Sequence, residues 1–287
     1  MPIEIAAHAG FCMGVRRAVE SAVQVADSGV PSCTLGELIH NPTVVDMLRQ
    51  RGIPPVTSAE EAAGRQVLIR SHGVAPEVIK QLENAGCKVV DLTCPFVNKL
   101  HRVVAEDTSE DCPLIMVGER EHPEVKGTCG WARGKVYVVA TAEEAAQLPE
   151  MDQAAAAVQT TFPPERWEAI VAVLRGRVQH LKEHNTICNA TAVRQREAKK
   201  LAAASDAMIV VGGRTSANTH KLFEACKALC PRTILVECAA EIPPAFANIH
   251  SDKIGITAGA STPDGSLEEV ATHMTDNENM AQSSDFT

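Results

Sequence analysis

The stretch EHPEVKGTCGWARGKVYVVATAEEA, residues 121–145, decides how the chain is organised, because it occurs in three versions. The others are IHNPTVVDMLRQRGIPPVTSAEEA, at 39–62, and SANTHKLFEACKALCPRTILVECAAEI, at 216–242. A repeated spacing of polar and small residues is typical of chains built from similar structural units. The spacing between a polar residue near the start and an alanine near the end is almost constant: 22 residues for His40–Ala62, 23 for His122–Ala145 and 22 for Asn218–Ala240.

Each version is followed by a strand-like run that ends in a polar turn, reading IRSHG, VQTTF or ITAGAST. After the first two versions, a cysteine then stands directly before a helix-like segment: Cys94 in TCPFVNK and Cys188 in TICNATAVRQ. The third version has no such cysteine after it, and the missing one is Cys12 in GFCMGVRRAV. The N-terminal strand is therefore predicted to complete the third module.

Strand-like and helix-like segments alternate along the chain, which favours an α/β fold with mostly parallel sheets. We predict three similar α/β modules in a pseudo-threefold arrangement around a central site that holds the three cysteines. Residues 273–287 are poor in apolar periodicity and are expected to form a disordered tail. The predicted bounds are 13–95 for module 1, 96–185 for module 2, and 186–272 plus 1–12 for module 3.

The predicted strands are CTLGELI, QVLIRS, KVVDLT, PLIMVG, KVYVVA, AAAAVQT, AMIVVGG, TILVE and KIGITAG. The predicted helices include GVRRAVESAVQVAD, NPTVVDMLRQRG and TAVRQREAKKLAAAS.

The composition argues against several classes of partner. The 287 residues carry a formal charge of −9 and only 3% aromatic residues, which does not suit the basic surfaces and stacking platforms of nucleic-acid-binding proteins. The apolar runs are too short to cross a membrane, and the N-terminus lacks the pattern of a secretory signal. We therefore expect a cytoplasmic protein that binds neither nucleic acid nor membrane, with its ten cysteines reduced or bound to metal.

Cys12, Cys94 and Cys188 share one context, since each follows a strand-like run and precedes a helix with basic residues. A helix N-terminus lowers the pKa of a thiol and favours the thiolate that binds metal. Three converging thiolates suit either an iron–sulfur cluster with one open iron or a zinc site. The alternative is that they are small buried hydrophobic residues, which is how we interpret the other seven cysteines.

Compact hydrogen-bond donors occupy corresponding strand ends and loops. Histidine, hydroxyl and amide groups around helix N-termini can hold a diphosphate without lysine or arginine. The remaining histidines are interpreted as ordinary surface or core residues. The predicted donors are His40, His72, His122, Thr160, Thr161, Ser216, Asn218 and Ser261.

Glu124 differs from the donors around it because it is an acid. A carboxylate close to bound phosphate is disfavoured, so the pKa of Glu124 should rise, and a carboxyl group protonated near pH 7 is a proton donor. The alternative is a solvated glutamate beside Lys126.

These positions together resemble the 4-hydroxy-3-methylbut-2-enyl diphosphate reductase family, the iron–sulfur enzymes that end the non-mevalonate isoprenoid pathway. The resemblance runs from Phe11 to Asp264. The motifs that carry it, in order, are GFCMGVRRAV, IHNPTVVDML, RSHGV, DLTCPFVNKLH, EHPEVKGT, VQTT, TICNATAVRQ, GGRTSANTHKL and TAGASTPD.

The resemblance implies a role for each matched residue. Cys12, Cys94 and Cys188 would bind a 4Fe–4S cluster, in the centre of three α/β modules, whose fourth iron is open to substrate. Glu124 would relay protons to the substrate hydroxyl. Ala217 departs from the family pattern, in which many members have a second small polar residue there. The implied substrate-binding set is His40, His72, His122, Thr160, Ser216, Ala217, Asn218 and Ser261.

The implied reaction is the reductive dehydroxylation of (E)-4-hydroxy-3-methylbut-2-enyl diphosphate to isopentenyl diphosphate and dimethylallyl diphosphate. Its electrons would come from a small protein such as ferredoxin or flavodoxin. Two other classes compete. One is a dehydratase or quinolinate-synthase type of enzyme, in which the cluster is a Lewis acid and no external electron donor is needed. The other is a cluster-bearing sensor without turnover, for which Glu124 would be dispensable.

Overall fold

The computed structural model of the protein describes residues 3–39, 41–214, 216–247 and 253–284. Its strands are β1 (Ile3–Ile5), β2 (Ser32–Leu35), β3 (Pro55–Val56), β4 (Gln66–Ile69), β5 (Lys88–Asp91), β6 (Leu114–Val117), β7 (Val136–Val139), β8 (Met151–Val158), β9 (Val178–His184), β10 (Ala207–Val211), β11 (Thr233–Val236) and β12 (Ile254–Ala258).

The helices lie between the strands and follow most of them. They are α1 (Met13–Asp27), α2 (Pro42–Gln50), α3 (Ala59–Ala62), α4 (Pro76–Asn84), α5 (Pro95–Asp107), α6 (Pro123–Cys129), α7 (Ala142–Ala146), α8 (Pro164–Leu174), α9 (Asn189–Ala203), α10 (Ala217–Lys227), α11 (Pro244–Ala247) and α12 (Asp264–Ser284), with a 3₁₀ helix at Ala239–Glu241.

Within the described residues, the strands form three four-stranded sheets whose paired strands are all parallel. The three strand orders are equivalent: β3-β2-β4-β5, β7-β6-β8-β9 and β11-β10-β12-β1. The third sheet takes its last strand from the N-terminus, where Ile3 pairs with Ile254. The predicted α/β fold of three similar parallel sheets is therefore confirmed, including the use of the N-terminal strand.

The central strands are mostly apolar because helices cover both faces of a parallel sheet. β4, β6, β10 and β12 are buried at every residue. Each of the nine predicted strand runs overlaps a strand, whereas β3 and β9 were not predicted. β3 has only two residues, one of them proline, and β9 (VQHLKEH) is a largely exposed edge strand without an apolar run.

The repeat is visible in local hydrogen bonds as well as in sheet order. Near the end of each of the three repeated stretches, a glutamate side chain accepts a hydrogen bond from the backbone N–H four residues earlier, which stabilises the start of a short helix. The three pairs are Thr57 N with Glu61 Oε2 at 2.8 Å, Ala140 N with Glu144 Oε2 at 2.6 Å, and Glu237 N with Glu241 Oε2 at 3.0 Å.

The chain divides into two compact units. Unit 1 comprises Met1–Arg16, Ile39–Asp46 and Asn189–Thr287, and unit 2 comprises Arg17–Leu38 and Met47–Cys188. Unit 2 therefore contains the sheets of predicted modules 1 and 2, and unit 1 contains the sheet of module 3. The three module bounds and their pseudo-threefold arrangement remain predictions.

The expected disordered tail begins too early. Helix α12 continues through Ser284, and Met274 is fully buried against the third sheet together with Val270, one helical turn before it. Val270 and Met274 are four residues apart, so both lie on the same face of α12. Their packing against the sheet stabilises the helix beyond residue 272. Residues 285–287 lie outside the described residues.

In the part of the chain that the structure describes, no helix is long and apolar enough to span a bilayer.

Candidate functional site

The three cysteines singled out from the sequence occupy equivalent places, each directly before a helix. Cys12 precedes α1, Cys94 precedes α5 and Cys188 precedes α9. All ten cysteines lie in the described residues, and none forms a disulfide. Each of the three thiols therefore stands at a helix N-terminus, the position that the sequence predicted for it.

The backbone of each cysteine is tied to the polar turn that ends the third strand of its sheet order. The N–H of Cys94 donates to the carbonyl of Ser71 at 2.9 Å, and that of Cys188 to Thr160 at 2.8 Å. In unit 1, the N–H of Cys12 donates to Ala260 at 3.1 Å. The same bond in all three repeats places each cysteine beside the turn in which the sequence located its polar donors.

Glu124 is a buried acid in the first turn of α6, with 1% of its surface exposed. Thr160, just after β8, holds both carboxyl oxygens: its N–H donates to Oε1 at 2.6 Å and its hydroxyl donates to Oε2 at 2.7 Å. Burial raises the pKa of Glu124 to about 7, although the bonds from Thr160 act in the opposite direction. The side chain is therefore a proton donor and acceptor near neutral pH, and it is not the solvated glutamate of the alternative reading.

His122 caps the helix on which Glu124 lies. Its Nδ1 accepts a hydrogen bond from the N–H of Glu124 at 3.1 Å, so the neutral ring carries its proton on Nε2. The ring of His72 meets that of His122 edge to face, with centroids 5.4 Å apart. Unit 2 thus brings together His72, His122, Glu124 and Thr160 in one connected group.

In unit 1, Ser216 and Asn218 lie at the start of α10. The hydroxyl of Ser216 accepts from the N–H of Thr219 at 3.3 Å and caps the helix. The amide nitrogen of Asn218 is enclosed and has no hydrogen-bond partner among the described residues, so it is a donor ready for a ligand oxygen. Ala217 is the first residue of α10, and the structure describes its backbone but not its side chain. His40 lies outside the described residues.

Ser261 is positioned by a residue that the sequence analysis did not select. The carbonyl of Ser261 accepts from the side-chain amide of Asn41 at 2.9 Å, and Asn41 also caps α2 by accepting from the N–H of Val44 at 3.2 Å. Asn41 is buried, with 5% exposed. Its signal in the sequence was an asparagine directly before Pro42, which is a common way to begin a helix.

Metal binding at the site would depend on Cys12, Cys94 and Cys188. No three His, Cys, Asp or Glu side chains within the described ranges form a group that could hold a metal ion. The chemistry of the three cysteines nevertheless suits an iron–sulfur cluster, since thiolates are its usual ligands and each thiol lies at a helix start. The three-cysteine site thus remains a prediction that the local geometry supports.

Comparison with known proteins places this arrangement in a family. The model of the LytB protein family matches residues 3–275. A 4-hydroxy-3-methylbut-2-enyl diphosphate reductase from Geobacter sp. (strain M21) is 44% identical over 271 residues, which is 94% of this chain and 95% of the relative. The enzyme of that name from Aquifex aeolicus (strain VF5) is 42% identical over 273 residues, covering 93% of this chain and 94% of the relative.

Comparison with solved structures indicates the same family. The chain is similar to the structure of (E)-4-hydroxy-3-methyl-but-2-enyl diphosphate reductase, the terminal enzyme of the non-mevalonate pathway, with a TM-score of 0.77, 40% identity and coverage of 96% of this chain and 100% of that one. It is also similar to the E-1-hydroxy-2-methyl-but-2-enyl-4-diphosphate reductase from Plasmodium falciparum, with a TM-score of 0.85, 25% identity and coverage of 94% and 87%. The resemblance read from the motifs is confirmed, and the chain belongs to the LytB protein family of 4-hydroxy-3-methylbut-2-enyl diphosphate reductases.

Proposed function

We propose that the chain reduces (E)-4-hydroxy-3-methylbut-2-enyl diphosphate to isopentenyl diphosphate and dimethylallyl diphosphate, with Glu124 as the proton donor. The observation that carries this proposal is the buried carboxyl of Glu124, held by Thr160 and next to His122. The curated relatives named above are reductases of this diphosphate, and they match the chain over almost its whole length.

We assign a 4Fe–4S cluster to Cys12, Cys94 and Cys188. Three thiols at helix starts, each tied by its backbone to a polar turn, support the assignment. When bound, such a cluster supplies electrons and one Lewis-acidic iron for the substrate hydroxyl. We further propose that the electrons arrive from a ferredoxin or flavodoxin, and that the reaction takes place in the cytoplasm.

The diphosphate is assigned to the neutral donors. His72 and His122 offer ring N–H groups, and Asn218 offers the enclosed amide nitrogen that lacks a partner among the described residues. Each group donates without adding a fixed positive charge, which accords with the acidic balance of the chain. The full proposed set is His40, His72, His122, Thr160, Ser216, Ala217, Asn218 and Ser261, with the backbone N–H as the donor at Ala217.

The proton balance of the reaction assigns a task to Glu124. Loss of the hydroxyl as water consumes one proton, and formation of the new C–H bond consumes a second, while two electrons enter the substrate. Burial raises the pKa of Glu124 to about 7, so a large fraction of the carboxyl is protonated at neutral pH and can donate the proton that leaves with the hydroxyl. Thr160 keeps the carboxyl oriented through both of its hydrogen bonds.

Anaerobic purification with iron and sulfide analysis tests the proposal, followed by turnover of the allylic diphosphate with a reduced viologen dye. Four irons per chain and dye oxidation that depends on the diphosphate are the expected results. A loaded cluster without dye oxidation would contradict the reductase assignment and favour a dehydratase or a sensor. Absence of iron after reconstitution would contradict the cysteine assignment.

Glu124→Gln tests the proton donor in the same assay. We expect kcat to fall by about 10²- to 10⁴-fold, with iron content unchanged, because general acid catalysis contributes roughly that much. In the unsubstituted protein, kcat/KM should decline as pH rises above about 7, where the free enzyme loses the Glu124 proton. Glu121→Gln, an exposed neighbour paired with Lys126, is the matched control and should retain full activity. Full activity of Glu124→Gln would rule out the proton-donor role.

A further inference from the structure

Arg194 is a cation buried inside unit 1. It lies on α9, and only 4% of its surface is exposed. Its guanidinium donates two hydrogen bonds to one segment of backbone: Nε to the carbonyl of His8 and Nη2 to the carbonyl of Gly10, both at 2.8 Å. Gly10 stands two residues before Cys12, so the buried charge is bonded to the loop that carries this cysteine.

One helical turn further along α9, the acidic side chain of Glu197 binds the same loop. Its Oε2 accepts from the backbone N–H of His8 at 3.2 Å and lies 2.8 Å from the ring Nδ1. Helix α9 therefore binds both the carbonyl and the N–H of His8. A donor and an acceptor spaced three residues apart on one helix fix the backbone of residue 8 in position and in orientation.

The rest of the loop is also fixed. The N–H of Ala6 donates to Ile256 at 2.9 Å, and the N–H of Cys12 donates to Ala260 at 3.1 Å, so β12 and its following turn hold both ends. Between these ends, Gly10 has a φ of +85°, a conformation that glycine adopts without strain. The bonds from Arg194 stabilise this turn at its centre.

Burial of a guanidinium is costly unless its hydrogen bonds and its surroundings compensate. Carbonyl oxygens accept hydrogen bonds from Nε and Nη2, but a neutral side chain would avoid the desolvation of a charge altogether. A permanent positive charge becomes favourable where anionic groups gather, as they do around thiolate ligands and the cluster that they bind. Unit 2 has a related bond near another cysteine, because Arg17 donates to the carbonyl of Thr93, the residue before Cys94, at 2.7 Å.

We propose that Arg194 is a positioning residue for Cys12: it holds the Cys12 loop and places a fixed positive charge beside it, which slows loss of iron and stabilises the reduced cluster. This inference rests on the proposed function, in which Cys12 is a cluster ligand. Arg194 itself contacts backbone carbonyls, and its effect passes through the loop and through its charge.

The test compares Arg194→Gln and Arg194→Lys with Arg196→Gln, which removes an exposed arginine two residues further along the same helix. Each full-length chain is reconstituted anaerobically with iron and sulfide. Two quantities are then measured without substrate: the rate at which a chelator removes iron, and the midpoint potential of the loaded protein. Neither readout depends on turnover, and folding is checked by near-UV circular dichroism of the metal-free chains.

Arg194→Gln should lose iron roughly 10- to 100-fold faster than Arg196→Gln, the range typical for residues that support a metal ligand. Its potential should move to more negative values, because reduction adds negative charge that the cation no longer stabilises. Arg194→Lys should restore the potential, since it keeps the charge. It should still lose iron faster than Arg196→Gln, because an ammonium group cannot span two carbonyls as a planar fork does.

Equal release rates and equal potentials in Arg194→Gln and Arg196→Gln would overturn the proposal. If Arg194→Gln does not fold, Arg194→Lys decides, and a release rate equal to that of Arg196→Gln overturns it. An unsubstituted chain that binds no iron would overturn the cluster assignment, and the role of Arg194 with it. Loaded wild-type protein with no effect of either Arg194 variant would overturn the Arg194 proposal alone.

Discussion

At the scale of single residues, the properties of Glu124 follow from a competition between burial and hydrogen bonding. The carboxyl accepts two bonds from Thr160, which favour its charged form, yet burial outweighs them and raises its pKa from 4.5 to about 7. From the sequence we expected a raised pKa because of nearby phosphate. The direction agrees, but in the structure burial is the cause.

The raised pKa predicts a pH-dependent cost to the folded state. Because Glu124 binds its proton more tightly when folded, its contribution to stability is greatest below pH 4.5 and is lost as pH rises to about 7. Glu124→Gln removes this loss. In urea unfolding of the metal-free chain, the variant should gain stability relative to wild type between pH 5 and pH 8, by at most roughly 3 kcal/mol.

Glu121→Gln provides the control for this measurement, since Glu121 is exposed. It should show no comparable gain between the two pH values. A constant difference between Glu124→Gln and wild type across the range would mean that Glu124 titrates alike in the folded and unfolded states.

At the scale of elements, helix α5 packs against the turn that carries His72. His101 on α5 is buried, with 3% exposed, and a Cβ added to Gly73 would lie 2.4 Å from its ring carbon Cε1. Trp131 stacks on His101 at 5.1 Å, and its Nε1 donates to the carbonyl of Val74 at 3.0 Å. Burial lowers the pKa of His101 to about 4, so this ring is neutral at physiological pH where it packs against the turn.

This packing predicts that Gly73→Ala is more destabilising than an ordinary glycine substitution. Gly73 has a φ of +71°, so alanine there suffers backbone strain as well as the clash with His101. Gly86 is the matched control, with a φ of +74° and nothing within 4 Å of an added Cβ. Gly86→Ala should cost about 1–2 kcal/mol from backbone strain alone, and Gly73→Ala should cost more.

A double-mutant cycle separates the clash from the strain. His101→Ala removes the ring, so the Gly73→Ala and His101→Ala pair should be less destabilising than the sum of the single changes, by about 0.5–3 kcal/mol in urea unfolding. Additivity of the two substitutions would contradict direct contact between Gly73 and His101 as the cause.

At the scale of the whole molecule, the two sheets of unit 2 share their packing. Helix α5 follows β5 of the first sheet in the chain, yet its Leu100 and Val104 pack in one buried cluster with Leu114 and Met116 of β6. The bond from Trp131 to Val74 joins the two sheet regions again. These contacts join the regions of the two sheets within one compact unit.

The shared packing predicts that the two sheets of unit 2 lose protection together. Trp131→Phe keeps a ring near His101 but leaves the carbonyl of Val74 without its donor, which costs about 1–3 kcal/mol. In native-state hydrogen exchange, amides of β4 and of β6 should both exchange faster by a similar factor. A loss of protection in β6 without one in β4 would show that the sheets open independently.

Much of this protein can be predicted from its sequence, because its repeat is written in local patterns. Apolar runs before polar turns predicted the central strands, and the position of Cys12 predicted that the N-terminal strand completes the third sheet. The start of the helices at Cys12, Cys94 and Cys188 was also predictable. These features depend on neighbours along the chain, or on a repeat that makes distant segments comparable.

Tertiary structure alone decided the features that depend on contacts between distant residues. The edge strand β9 forms because β8 offers it backbone partners, and the helix at Met274 persists because the third sheet buries it. In the sequence, Arg194 is one of several basic residues of α9. Only its burial against the Cys12 loop distinguishes it from Arg196. Burial and long-range hydrogen bonds depend on how the chain closes on itself, and no local pattern contains that information.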